Sequence, residues 1–138
     1  MANGLYAKAK QSFLNKTQDL DSDGIRAILA DAADYSVNLS THDSLDDVAA
    51  GARVATSGNL TSPTITDGTF DTADFSWTSV SGDQSEQVIL YNHDGNGAGA
   101  DSQRQLIAFY DTGITGMPVT PNGGNINVTV NASGWFSL

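Results

Sequence analysis

Gln87-Val88-Ile89-Leu90-Tyr91 is one of two largely apolar runs that decide the fold of this chain, and Leu106-Ile107-Ala108-Phe109-Tyr110 is the other. Both runs are short and bounded by turn residues, which is typical of strands rather than helices. Neither run alternates between apolar and polar residues, so each should be buried on both faces. We therefore expect these two runs to form the central strands of a sheet.

Alternating apolar segments surround these runs. Phe75-Ser76-Trp77-Thr78-Ser79-Val80 alternates with period two, and Ile126, Val128 and Val130 do the same, so each segment should bury one face. Glycine, asparagine and proline separate the segments at intervals typical of all-β proteins. The pattern predicts an all-β fold, mainly an antiparallel β-sandwich or barrel. The expected core residues are Phe75, Trp77, Ile89, Phe109 and Val128. Strands are expected near residues 25–31, 52–60, 69–79, 86–92, 105–111, 125–131 and 134–138.

Length and composition fit one β-rich domain. The chain has 138 residues, which is near the commonest domain size, and only 39% of them are apolar. It has no cysteine, which excludes disulfides, thiolate nucleophiles and cysteine-bound zinc. The sequence lacks the apolar core of a signal peptide and any apolar run of the roughly 20 residues that span a bilayer. We therefore expect synthesis in a cytoplasm and no membrane partner.

The first sixteen residues differ in charge from the rest. This segment holds Lys8, Lys10 and Lys16 and no acidic residue, so a total charge of −10 leaves −13 for the remainder. Such an acidic body repels nucleic acid, which is therefore not expected as its partner. Apolar residues at positions 5, 6, 9, 13 and 14 fit one face of a short helix, or an arm.

A helix this short is marginal alone in water, so its apolar face must lie on this domain or on a neighbour. We expect residues 1–16 to be a docking segment and residues 17–138 to be a single β-rich domain. The expected contact residues are Tyr6, Lys8, Lys10, Phe13, Leu14 and Lys16.

Two stretches are similar to calcium-binding loops but lack an essential ligand. Asp19-Leu20-Asp21-Ser22-Asp23-Gly24 matches the first half of an EF-hand loop, yet the twelfth position is Ala30 instead of a bidentate glutamate. Asn92-His93-Asp94-Gly95-Asn96-Gly97 has the same defect, because its twelfth position is Gln103. We interpret the first as an Asp-rich turn and the second as a hairpin tip, and we expect no metal and no cofactor.

The sequence also lacks a catalytic motif. His42 and His93 each precede an aspartate, but no Gly-x-Ser-x-Gly elbow or His-Glu-x-x-His helix accompanies them. Nothing singles out a reactive pair among the sixteen carboxylates. We therefore predict that the protein is not an enzyme.

The two tryptophans have different expected roles. Trp77 alternates with Phe75 and is expected in the core. Trp135 and Phe136, near the C-terminal end of the chain, are the candidates for an exposed aromatic contact.

Five stretches, spread over most of the chain, carry a resemblance to known proteins. They are Leu5-Tyr6-Ala7-Lys8-Ala9-Lys10-Gln11-Ser12-Phe13-Leu14, Ile28-Leu29-Ala30-Asp31-Ala32-Ala33-Asp34-Tyr35, Thr41-His42-Asp43-Ser44-Leu45-Asp46-Asp47-Val48, Val80-Ser81-Gly82-Asp83-Gln84-Ser85-Glu86 and Pro118-Val119-Thr120-Pro121-Asn122-Gly123-Gly124. In these stretches the chain resembles small structural proteins encoded in the morphogenesis regions of tailed bacteriophages.

The resemblance implies a non-enzymatic role in a virion that is assembled in the host cytoplasm. A small acidic β-domain with a separate N-terminal segment suits a capsid decoration or cement protein. The implied partners are the major capsid protein or other virion proteins, together with self-association. A tail or head-tail connector component is one alternative, and a carbohydrate-binding β-sandwich module is another.

Overall fold

The structure is a computed structural model that describes residues 3–94 and 99–138. Strands account for 31% of the structure and helices for 13%, and the sheets are antiparallel. The all-β prediction is therefore confirmed, and no barrel is closed. The strands are β1 (Gly4–Leu5), β2 (Ile25–Ala30), β3 (Arg53–Thr56), β4 (Thr64–Thr66), β5 (Thr69–Asp71), β6 (Phe75–Trp77), β7 (Gln87–Asn92), β8 (Leu106–Tyr110), β9 (Ile126–Val128) and β10 (Phe136–Ser137). The α-helix is α1 (Ala7–Leu14), and single turns of 3₁₀-helix cover Leu45–Asp47, Ala50–Ala52 and Asp101–Gln103.

A five-stranded sheet in the order β1-β8-β7-β2-β3 forms the centre of the protein. Every residue of β7 and β8 is buried, as their lack of polar alternation predicts. In the register of this sheet Ile89 lies opposite both Ile28 and Phe109, which places three large side chains side by side. The expected central strands are therefore the observed ones.

Two smaller sheets pack against this centre. One has the strand order β10-β5-β4, and the other pairs β6 with β9. The Trp77 indole N–H of β6 donates to the Ala27 carbonyl of β2 at 3.0 Å, which ties the two-stranded sheet to the central one. Of the five expected core residues, four are almost fully buried, and Phe75 is partly buried and packs against them.

The N-terminal segment belongs to this same folded unit. Strand β1 pairs with the edge of β8, and the Tyr6 amide donates to the Ile107 carbonyl at 3.1 Å. Tyr6 is fully buried, and its hydroxyl lies 2.9 Å from that of Tyr35. Burial and the neighbouring Tyr35 hydroxyl raise the pKa of Tyr6. The assignment of Tyr6 to a partner surface is therefore wrong, because this ring fills the protein's own core.

Helix α1 continues from Tyr6 and lies over the sheet. Ala9 and Ser12 face inward, while Lys8, Lys10 and Leu14 are exposed. No helix within residues 3–94 and 99–138 is long and apolar enough to cross a membrane.

Removal of residues 1–16 should prevent normal folding, because it exposes the edge of β8 and empties the site of Tyr6. The single substitution Tyr6→Ala should lower the free energy of unfolding by about 3–5 kcal/mol, as expected for an aromatic residue deleted from a core. Urea denaturation followed by circular dichroism measures both effects. Leu14→Ala on the exposed face of the same helix is the control, with an expected change within about 0.5 kcal/mol. A truncated chain with an unchanged spectrum and midpoint would contradict this account.

Candidate protein-docking groove

An apolar groove of about 190 Å³ lies between helix α1 and the three-stranded sheet. Phe13 of α1, Phe70 of β5 and Phe136 of β10 line it, together with Ile65 and Leu138. The volume is below the roughly 300–1,000 Å³ of a typical small-molecule site. The groove therefore fits an inserted apolar side chain better than a ligand of drug-like size.

Stacked rings build the wall of this groove. The ring centroids of Phe13 and Phe136 lie 5.9 Å apart and their planes differ by 17°. Phe136 in turn lies 5.6 Å from Phe70, which is 2% exposed and anchors the group in the core. Phe13 and Phe136, two predicted contact residues from opposite ends of the sequence, therefore lie in one aromatic stack.

Two exposed apolar side chains line the groove together with the stacked rings. Within the described part of the chain the large hydrophobic residues that are exposed are Leu14 (86%), Ile65 (51%) and Leu138 (72%). Ile65 and Leu138 line the groove, and Leu14 follows Phe13 at the end of the helix. Exposed apolar side chains beside an apolar groove are a feature of surfaces that bind other proteins, so this groove is a candidate docking site.

The turn between β4 and β5 positions Ile65 and Leu138. Asp67 and Gly68 have φ values of 51° and 81°, as a two-residue hairpin turn requires. The Leu138 amide donates to the Gly68 carbonyl at 3.0 Å. The sequence analysis did not identify Ile65 as a contact residue. The available sequence signal was one large apolar residue between two threonines, and this segment forms a short edge strand.

The three lysines of the N-terminal segment are exposed. Lys8, Lys10 and Lys16 are all exposed, and Lys10 precedes Leu14 by one helical turn, so the two share a face. Lys8 lines a separate polar pocket together with Asp43. The three lysines and Leu14 are therefore exposed and Phe13 is partly so, and their contact with a partner stays a prediction.

Trp135 is not an exposed contact, contrary to the sequence-based expectation. It is 7% exposed, its indole N–H donates to the Thr72 hydroxyl at 2.9 Å, and its carbonyl accepts a hydrogen bond from Tyr110 at 2.6 Å. Trp77 is 1% exposed. Both tryptophans are therefore largely buried, and the carbohydrate-binding alternative gains no exposed tryptophan from this structure.

The Asp-rich stretch before β2 is a turn closed by its own hydrogen bonds. The Asp23 carboxylate accepts from the Asp19 amide at 3.1 Å and from the Asn92 side chain at 2.8 Å. The pKa of Asp19 is raised, first by a hydrogen bond between its carboxyl group and that of Asp21, and then by desolvation and the Asp21 charge. The second stretch, 92–97, lies partly outside the described residues.

Two further groups of carboxylates have oxygens within 4.8 Å of one another. One group comprises Asp43, Asp46 and Asp47. The Asp47 carboxylate accepts hydrogen bonds from the amides of Asp43 at 2.7 Å and Ser44 at 3.3 Å, and this caps a turn of 3₁₀-helix. This capping explains the position of Asp47. The other group comprises Asp31, Asp34 and Asp83.

Both histidines contact tyrosine hydroxyl groups. The Nδ1 atom of His42 lies 2.9 Å from the Tyr35 hydroxyl, and that of His93 lies 3.1 Å from the Tyr91 hydroxyl. Nε2 of His93 lies 3.2 Å from the Arg104 guanidinium group. Desolvation lowers the pKa of His93, and the charges of Arg26 and Arg104 lower it further.

This depressed pKa makes stability depend on pH. Below the unperturbed value of about 6.5, the unfolded chain binds a proton at His93 that the folded chain resists, so acidification favours unfolding. Above that pH His93 is uncharged in both states and does not affect stability. As pH falls below it, the folded state becomes progressively less stable relative to the unfolded state. In thermal melts between pH 7.5 and 5.5, the melting temperature of His93→Gln should fall less than that of the original protein. Parallel pH profiles for the two proteins would refute this linkage.

Comparison with known proteins assigns no family to the chain. No family model matches it, and no curated protein matches it. The groove, its exposed apolar side chains and the neighbouring lysines are therefore the basis for a functional assignment.

Proposed function

We propose that the protein is a non-enzymatic structural component of a tailed bacteriophage virion, namely a decoration or cement protein that binds the major capsid protein lattice. One observation carries the proposal, which is the apolar groove with exposed Ile65 and Leu138 beside a helix that carries exposed Lys8 and Lys10. A surface of this kind suits contact with another protein. The resemblance of the chain to phage structural proteins supports the choice of partner.

The proposed occupant of the groove is an apolar side chain of the capsid protein with acidic residues around it. Full burial of a large apolar side chain contributes about 1.5–3 kcal/mol, so covering Ile65 and Leu138 gives a gross gain that offsets part of the entropic cost of association. Lys8, Lys10 and Lys16 would face the acidic residues, which favours fast and correctly oriented docking. The rest of the chain carries −13 and would repel the same surface.

The chemistry of the groove favours a binding role over catalysis. Among the described residues that line it, Asp19 is the one ionisable side chain, and the aromatic and aliphatic residues are unreactive. Both histidines lie outside this lining. General acid–base chemistry needs at least one positioned proton donor or acceptor beside a bound substrate, and two in most hydrolases.

The copy number of the protein in purified particles tests the proposed role. A decoration protein should be present in on the order of hundreds of copies, whereas a head-tail connector is present in about a dozen, as icosahedral and ring symmetries imply. Quantitative mass spectrometry of virions from the phage that encodes the chain measures this ratio. A ring-like copy number would favour the connector alternative. Absence from particles would overturn both.

Substitution within the groove should weaken attachment to particles. Ile65→Asp places a charge in the apolar groove and should reduce affinity for particles that lack the protein at least about tenfold. Thr64→Asp is the matched control, because it adds the same charge to the same exposed strand but points to the opposite face. Circular dichroism should be unchanged in both variants, and sedimentation with particles measures binding. Equal affinities for the two variants would exclude the groove as the docking site.

A further inference from the structure

A polar pocket of about 220 Å³ lies between helix α1 and the segment that pairs with the start of β8. It shares no residue with the apolar groove, and every residue of its lining is polar. The lining consists of Lys8, Ser12, Thr17, Asp43, Ser44 and Gln105. The volume is below the roughly 300–1,000 Å³ of small-molecule sites, so the pocket fits a single side chain of another protein.

A row of side-chain amides leads from β7 to this pocket and fixes the orientation of Gln105. The Asn92 Oδ1 atom accepts from the Asp94 amide at 3.0 Å, so the Asn92 Nδ2 group is the donor. That group donates to Asp23 at 2.8 Å and to Gln18 Oε1 at 2.5 Å. Gln18 must then donate through Nε2, and it does so to Gln105 Oε1 at 2.6 Å. Each amide therefore sets the orientation of the next.

The last amide in this row keeps a donor at the pocket. Gln105 is 6% exposed, and its Oε1 atom also accepts from the Ser12 hydroxyl at 3.0 Å. Its Nε2 group has no hydrogen-bond partner within residues 3–94 and 99–138, and it is not sealed from solvent. The Gln105 backbone lies between Ser44 and Asn92, so the side chain is the part that reaches the pocket. A group that displaces water from this donor must supply an acceptor in its place.

The charged groups of the pocket exclude simple ions. Lys8 and Asp43 are both exposed, and neither forms an ion pair in the part of the chain that the structure describes. A carboxylate would be repelled by Asp43 and by Asp46 and Asp47, whose oxygens lie within 4.8 Å of its own. An ammonium or guanidinium group would be repelled by Lys8 and has no acceptor for Gln105.

We propose that this pocket binds the side-chain carboxamide of a glutamine or asparagine from a neighbouring protein. The carboxamide oxygen accepts from Gln105 Nε2 and from the Lys8 ammonium group, and its NH₂ group donates to Asp43. A carboxamide is neutral and carries its acceptor and its donors on separate atoms, so it satisfies both ends of the pocket at once. The site is separate from the apolar groove and does not depend on the virion role.

Titration with a minimal probe tests this site. N-acetyl-glutamine N-methylamide should shift the NMR signals of the Gln105 side-chain amide and the Ser44 backbone amide, saturably and in the millimolar range. The glutamate and leucine analogues of this probe should bind at least about fivefold more weakly. The first brings a negative charge towards Asp43, and the second has no side-chain acceptor for Gln105.

Substitutions in the lining should change this binding selectively. Gln105→Glu keeps an acceptor for its two internal donors but removes the donor at the pocket, and it should weaken binding of the glutamine probe at least about tenfold. Asp43→Asn should reduce the preference for the glutamine probe over the glutamate probe at least about threefold. Lys8→Met should weaken binding of the glutamine probe about threefold or more. Lys10→Met, on the same helix but outside the lining, is the matched control and should leave binding unchanged.

Several results would overturn the proposal. These are the absence of saturable shifts with the glutamine probe, equal binding of either analogue, or unchanged binding in a folded Gln105→Glu variant. If that variant loses its folded circular dichroism spectrum, Lys8→Met and Asp43→Asn decide the question, and the absence of both expected effects contradicts the proposal. None of these outcomes bears on the apolar groove, which is tested with Ile65→Asp and particles.

Discussion

Burial of β7 and β8 on both faces is the constraint on which the rest of this structure depends. Two adjacent strands without an exposed residue need cover from elements that lie far away in sequence. Helix α1 and Tyr6 provide part of that cover, and Trp77 and Trp135 provide more from the smaller sheets. The N-terminal segment is therefore part of the cover of the core, whatever partner it also contacts.

The apolar groove follows from the same constraint. The N-terminal helix and the last strand both cover the core, and the place where they meet is the stack of Phe13 on Phe136. The covering elements are short, however, and they leave Leu14, Ile65 and Leu138 in contact with water. Two of these three side chains, Ile65 and Leu138, line the groove, so its exposed apolar surface is a consequence of how briefly the covering elements extend over the core.

The central fold was predictable from sequence because its signal is local. Residues 88–91 and 106–110 are continuous apolar runs, and that pattern alone predicts strands buried on both faces. The role of an amphipathic segment is a different matter, because periodicity shows that one face is apolar but not which surface covers it. Tyr6 was assigned to a partner for that reason, whereas β1 pairing places it in the core. Trp135 was misassigned similarly, since its cover comes from Thr72 and Tyr110 in distant parts of the chain.

The polar pocket could not have been predicted, because it depends on pairing between distant segments. Only the bridge between Ser44 and Gln105 brings Asp43 to the start of β8, beside Lys8 of helix α1. Neither segment alone carries a signal for this arrangement, because pairing of the two segments decides which residues become neighbours.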